Sequence, residues 1–203
     1  MVIAVVGSGG KTTLVKKLAS EYQEQGKTVL ITTTTHMYTE EETLLTDDAE
    51  DVIRALNETG YIMAGVPEGE KIKGFSEETY EMICNHADVI LVEADGSKHM
   101  PLKYPNAHEP VIPDNTDRII IVCGLKALGQ KAKEACHRLE LVKACLQIED
   151  DTLILPEHIF KLVWEGYVRP LRKRYPNIIL EIYPTHDGSE EQKKIAEMIS
   201  KIV

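Results

Sequence analysis

Gly7-Ser8-Gly9-Gly10-Lys11-Thr12-Thr13 combines the residue types that hold a polyphosphate. Glycines let successive backbone N–H groups approach anionic oxygens with no Cβ in the way. An amine, Lys11, follows at the point where it can bridge β- and γ-phosphates. The Thr12 hydroxyl then suits one Mg²⁺ position, and Thr13 suits an inner phosphate. The pattern departs from G-x-x-x-x-G-K-[ST], because Val5 stands where the first glycine belongs, which leaves a shorter G-x-x-G-K-T-T loop. A glycine-rich turn with a solvated lysine is the competing reading, and the Gly-Lys-Thr-Thr run argues against it.

Partner carboxylates come from Asp88 to Asp95, where Val89-Ile90-Leu91-Val92 run into Glu93-Ala94-Asp95-Gly96. Strand alternation puts Glu93 and Asp95 on one face at the carboxyl end, where open α/β sheets bind ligands. One of them is expected to serve Mg²⁺ through water and the other to orient an attacking water, with the assignment between the two left open. Thr32 to Thr35, followed by His36, close another strand. Their hydroxyls suit Mg²⁺ (Thr34) or substrate (Thr35 and His36), although β-propensity alone also accounts for threonines there. Lys98, His99, Lys103, His108 and Glu109 crowd one long loop and are candidates for substrate contact. Pro184-Thr185-His186-Asp187 follows the last expected strand, where guanine-binding proteins often carry Asn-Lys-x-Asp. Only Asp187 is shared, and with Gly188 it also reads as a turn, so ATP and GTP both stay open. Arg169, Arg172, Lys173 and Arg174 read as a solvated helix face.

These residues need strands and helices in alternation to position them. Val2 to Val6 is an apolar run of buried-strand type, and Lys11 to Gln25 has helical spacing closed by Gly26. Thr28 to Thr33, Tyr61 to Val66, Asp88 to Asp95, Arg118 to Cys123 and Asn177 to Tyr183 read as strands. Asp48 to Glu58, Ser76 to about His86, Gly129 to Gln147, Pro156 to Glu165 and the segment after Ser189 read as helices. Pro67 to Glu70 reads as a turn. The pattern predicts an α/β fold of the P-loop NTPase type, three-layered, with a mostly parallel central sheet. The loop from Gly96 to Asp117 is long for a compact fold, and its four prolines favour an ordered, functional loop.

At 203 residues the chain is expected to form one domain, spanning 1–203, with a core that needs no disulfide or structural metal. Its 43% hydrophobic and 28% charged content is that of a globular protein. A formal net charge of −10 and 5% aromatic residues argue against nucleic-acid or anionic-membrane binding. Cys84, Cys123, Cys136 and Cys145 form no CxxC pair, which points to free thiols in a reducing compartment. With an apolar strand beginning at Val2 and no span-length apolar stretch, a cytoplasmic location is expected.

The ordered set Gly-Ser-Gly-Gly-Lys-Thr-Thr-Leu, Ile-Thr-Thr-Thr-Thr-His-Met, Glu-Ala-Asp-Gly-Ser-Lys-His-Met-Pro-Leu-Lys and His-Glu-Pro-Val-Ile-Pro resembles the selenium-dependent hydroxylase accessory protein family. Gly124-Leu125-Lys126-Ala127-Leu128-Gly129 and His137-Arg138 extend the likeness. The resemblance implies a P-loop nucleotide-binding protein that assists maturation of a selenium-dependent molybdenum hydroxylase or its cofactor machinery. It carries Lys11, Thr12, Thr34, His36, Glu93, Asp95, Lys98, Lys103, His108 and Glu109 over as motif positions. The leading expectation is an Mg²⁺-dependent nucleoside triphosphatase or phosphotransfer protein. One rival is an ATP-dependent ligase of the cell-wall precursor type, which shares the short loop and forms an acyl phosphate. Against it, 203 residues leave no space for such ligases' further domains. The other rival is a non-catalytic nucleotide switch or cofactor chaperone.

Overall fold

The computed structural model describes all residues, Met1–Val203. It is an α/β protein with a mostly parallel central sheet, and the chain divides into two compact units. The first comprises Met1–Val5, Thr12–Asp95 and Val111–Asp117, and the second Val6–Lys11, Gly96–Pro110 and Arg118–Val203. The chain passes between units inside the phosphate-loop motif, between Lys11 and Thr12.

In the first unit, β1 (Val2–Gly7, shared with the second unit) runs parallel to β7 (Val89–Glu93), with Val2 opposite Ile90 and Val5 opposite Glu93. On the other side of β7 lies β2 (Val29–Thr33), and beyond it β5 (Tyr61–Glu68), both parallel. These strands are apolar because both their faces are covered: Ile3, Leu30, Ile31, Ile90 and Leu91 are fully buried. Helix α1 (Lys11–Glu24) buries Leu14, Val15 and Ala19 and keeps Lys16 and Lys17 outside. Helix α2 (Ala49–Thr59) starts where the Asp48 carboxylate accepts the Glu50 N–H at 2.8 Å, and it stops at Gly60 in a left-handed conformation. Ser76 caps α3 (Glu77–Ile83) in the same way.

Sequence periodicity missed the edge of this unit. The expected turn at Pro67 to Glu70 is tighter, because β5 continues to Glu68 and turns back at Gly69 into β6 (Lys71–Lys73). Residues expected to be a strand's loose end instead form β3 (His36–Tyr38), antiparallel to β6, while β4 (Leu44–Leu45) runs parallel to β5. Strands of two or three residues are too short to show alternation.

In the second unit, β9 (Arg118–Gly124) and β11 (Ile179–Thr185) pair in parallel over their whole length. The long loop contains β8 (Leu102–Lys103), parallel to β10 (Cys136–His137). That pairing breaks the helix expected over Gly129 to Gln147. What forms instead is a 3₁₀ turn at Leu125–Ala127, α4 (Ala132–Ala135), β10, and then α5 (Leu139–Leu146) after a left-handed Arg138. Helix α6 (Pro156–Val163) continues through a π-helical turn at Trp164–Val168 into α7 (Arg169–Arg174). Pro170 has no N–H to give the carbonyl one α-turn back, so the helix widens ahead of it. Helix α8 (Glu190–Ser200), capped by Ser189, packs on β11.

The second unit holds the tightest backbone approach of the phosphate-loop motif. Gly7 has φ +92°, and a Cβ there would stand 2.0 Å from the Val122 carbonyl oxygen. Gly26, with φ +74°, has open space around it. Gly7→Ala is therefore expected to cost about 3 kcal/mol or more, while Gly26→Ala costs only the left-handed backbone penalty of about 1 kcal/mol. Urea unfolding midpoints of the two variants test this, and equal losses would refute the close-approach account.

Candidate functional site

The glycine loop is fixed by its neighbours within the second unit. The Ser8 N–H donates to the Val122 carbonyl at 2.9 Å, and the Ser8 hydroxyl donates to the Pro101 carbonyl at 3.1 Å. The Thr185 hydroxyl donates to the Gly9 carbonyl at 2.6 Å. A Cβ on Gly9 would sit 2.6 Å from Gly124 Cα, so the loop and the end of β9 touch backbone to backbone. Gly7, Gly9 and Gly10 all have positive φ, which explains why three glycines are needed in four positions. Lys11 is 4% exposed. Its ammonium folds back over the loop, donating to the Gly7 carbonyl at 2.9 Å and to the Ser97 hydroxyl at 3.3 Å.

In the first unit, the Thr12 hydroxyl donates to Glu93 Oε2 at 3.0 Å. Glu93 ends β7 and is buried, and Asp95 is fully buried two residues on. The Thr33 hydroxyl donates to the Glu93 carbonyl at 2.7 Å and also accepts the Thr35 N–H at 3.0 Å, which fixes the turn after β2. The Thr34 hydroxyl donates to the Val111 carbonyl at 2.6 Å. His36 lies on β3, where its Nε2 is 2.6 Å from Glu68, both side chains about half exposed. The structure thus brings Thr12 to Glu93, with Thr33 as support, and carries His36 to the β3–β6 pair.

The long loop is organised by buried charge. The Lys103 side chain is wholly buried, and its ammonium donates to the Gly96 carbonyl and to Glu109 Oε2, both at 2.7 Å. Arg138 grips the same carboxylate with both terminal nitrogens, one of them at 2.7 Å from Oε1. Burial alone would push the Glu109 carboxyl up, but hydrogen bonds and charge from Arg138 and Lys103 outweigh it and hold the group at about 2. Lys98 and His99 stand exposed next to this cluster in the chain, both in left-handed conformations, and His108 is exposed with its N–H on the Asn106 side chain. Asp187 is exposed and accepts the Ser189 N–H at 2.8 Å, which lowers its pKa and shapes the entry to α8.

Ser97, Thr33, Thr185 and Arg138 were missing from the expected set. All four lie inside motifs already singled out, but their contacts to Lys11, Glu93, Gly9 and Glu109 join residues far apart in sequence, which no local pattern reveals.

The group held at about 2 makes a pH prediction. The unfolded Glu109 carboxyl takes up its proton near 4.5 and the folded one only near 2. Its contribution is thus fully present above pH 4.5 and is lost as the pH falls through 2, roughly 3 kcal/mol in all. Glu109→Gln removes an anion shared by the buried Lys103 ammonium and the Arg138 guanidinium and is expected to cost about 3 kcal/mol at neutral pH. The gap from wild type should narrow below pH 4.5. Urea midpoints recorded from pH 7 downward check it, and parallel curves for the two proteins would contradict it.

Comparison with known proteins adds the following. The family model described as YqeC protein matches residues 3–140. The uncharacterized protein YqeC of Escherichia coli (strain K12) is 36% identical over 184 residues, covering 81% of this chain and 72% of that protein. Among solved structures, the MinC:MinD cell division protein complex of Aquifex aeolicus aligns over 99% of this chain and 86% of that chain, at 16% identity and a TM-score of 0.38. No helix is long and apolar enough to cross a membrane.

Proposed function

We propose that this chain, which belongs to the YqeC family, is an Mg²⁺-dependent nucleoside-triphosphate-binding protein that hydrolyses its nucleotide while assisting maturation of a molybdenum hydroxylase. The observation that carries the reading is the 3.0 Å contact between the Thr12 hydroxyl and Glu93, directly after a lysine folded over three positive-φ glycines. A hydroxyl and a carboxylate are the hard oxygen donors that Mg²⁺ takes, so the residues fit the metal. Bound there, Mg²⁺ would neutralise charge on the β- and γ-phosphates.

The chain's own residues account for the rest. Lys11 gives its ammonium to a phosphate oxygen by leaving the Gly7 carbonyl, an exchange of one short contact for a stronger charge-assisted one. Helix α1 has no acidic residue in its first turn, so its positive end faces an anion without competition from its own side chains. Thr12 and Glu93 hold the metal side, with Asp95 buried close by in the chain to orient water. Asp187, Thr34, Thr35, His36, Lys98, His99, Lys103, His108 and Glu109 complete the proposed set. Of these, Lys103 and Glu109 act by ordering the loop that bears Ser97, the residue contacting Lys11. The hydroxylase role is supported by the multi-motif resemblance.

Thermal melting with ATP, GTP or CTP plus Mg²⁺ tests the reading. A triphosphate at a hundred times its Kd stabilises by about 2.7 kcal/mol, and Lys11→Ala should abolish the effect. Phosphate release by wild type identifies an enzyme, and binding without release identifies a switch. Release only with an added amino-acid or peptide co-substrate identifies the ligase. No shift with any Mg²⁺-triphosphate would sink nucleotide binding.

A further inference from the structure

An apolar groove of about 570 Å³ opens in the second unit between α6, with its π-helical continuation, and the end of α8. Phe160 and Trp164 line it from the first helix, and Met198 with Ile202 line it from the second and the residues just after it. Both helices turn other side chains to the core: Ile159, Leu162 and Val163 are buried on α6, and Ala196 and Ile199 on α8. The groove residues are what remains outside, with Trp164 42% exposed and Met198 60%. The chain has one Trp and two Phe, so two of those three side chains meet in this groove. Aromatic side chains and Met are the residues that protein interfaces gather at their centres.

Glu157 and Lys161 also line the groove. They stand one turn apart on α6, in the order that favours an ion pair within a helix. Further along the same continuous helix, Glu165 and Arg169 close such a pair at 2.6 Å, whereas the Glu157 and Lys161 side chains have no partner within the chain. The lining therefore offers one free carboxylate and one free ammonium beside its apolar residues. An acidic or a basic partner would pair with one and oppose the other, and a small apolar ligand would pair with neither. A second copy turned about a two-fold axis pairs with both, because a contact from residue i to residue j is then matched by one from j to i. The net charge of −10 on each copy is screened beyond about 8 Å at physiological salt, so the groove's own charges decide the encounter.

We propose that this groove is the interface of a two-fold homodimer. Trp164 and Met198 of each copy pack into the groove of the other, the two α6 helices run antiparallel, and Glu157 of each pairs with the partner's Lys161. The dimer stands apart from the nucleotide reading, since none of these residues belongs to the glycine loop or to the Thr12–Glu93 contact.

Sedimentation equilibrium of the full chain from about 1 to 100 µM at physiological salt reads the mass directly. A dimer is expected at the upper end, dissociating on dilution. Trp164 is the chain's single Trp, so its emission should move to the blue with the same midpoint as the mass. Trp164→Ala and Met198→Ala truncate exposed side chains, and each should raise the dimer Kd about tenfold. Lys161→Glu alone, or Glu157→Lys alone, sets like charges against each other and should also weaken the dimer. The two substitutions together restore opposite charges across the axis and should return the Kd towards that of wild type. Monomer mass at every concentration overturns the proposal and gives the groove to a different occupant. A dimer unmoved by Trp164→Ala and Met198→Ala overturns it as well, as does a charge swap that recovers none of what the single reversals lose.

Discussion

The contact between Gly7 and the Val122 carbonyl, with that between Gly9 and Gly124, is the constraint on which the loop depends. Backbone this close to backbone admits no side chain, so the first turn after β1 has one conformation. That conformation sets where Lys11 emerges. Because the Val122 and Pro101 carbonyls and the Thr185 hydroxyl pair with loop groups from outside, the loop does not rely on a ligand to keep its shape. Preorganisation of this kind lowers the ordering cost of binding an anion.

A second constraint is electrostatic. A wholly buried ammonium is tolerable only with an anion and further acceptors, and Lys103 has Glu109 and the Gly96 carbonyl. Arg138 on the same carboxylate ties α5 to the long loop, so the loop is ordered from both ends. This explains how a proline-punctuated segment with little regular structure becomes a fixed platform for Ser97 and Lys98.

Much of this was legible in the sequence, for identifiable reasons. Val2 to Val6 and Val89 to Val92 declare buried parallel strands by composition, and Asp48, Ser76 and Ser189 mark helix starts through local hydrogen bonds that a sequence can encode. The Thr12–Glu93 approach was foreseeable because both ends of it are motifs. The break at Cys136–His137 was not, because it is imposed by pairing with β8, some 34 residues earlier in the register. A helical period persists through that stretch while tertiary pairing overrides it. Thr34 shows the converse limit: a hydroxyl near the site by sequence is drawn to the Val111 carbonyl by a loop whose course no local pattern contains.

The family match ends at residue 140, and that boundary separates two kinds of residue. The glycine loop, Thr12, Glu93, Asp95, the Lys103–Glu109–Arg138 cluster and His137 all fall within it. Thr185 and Asp187 lie beyond it, on β11 and at the entry to α8. The residues proposed to hold phosphate therefore belong to the part by which the family is recognised. The only candidate for reading a base belongs to the part outside it, and there Asp187 is already engaged with the Ser189 N–H. A carboxylate has two oxygens, so the Ser189 bond on Oδ1 does not by itself bar Asp187 from accepting from a base.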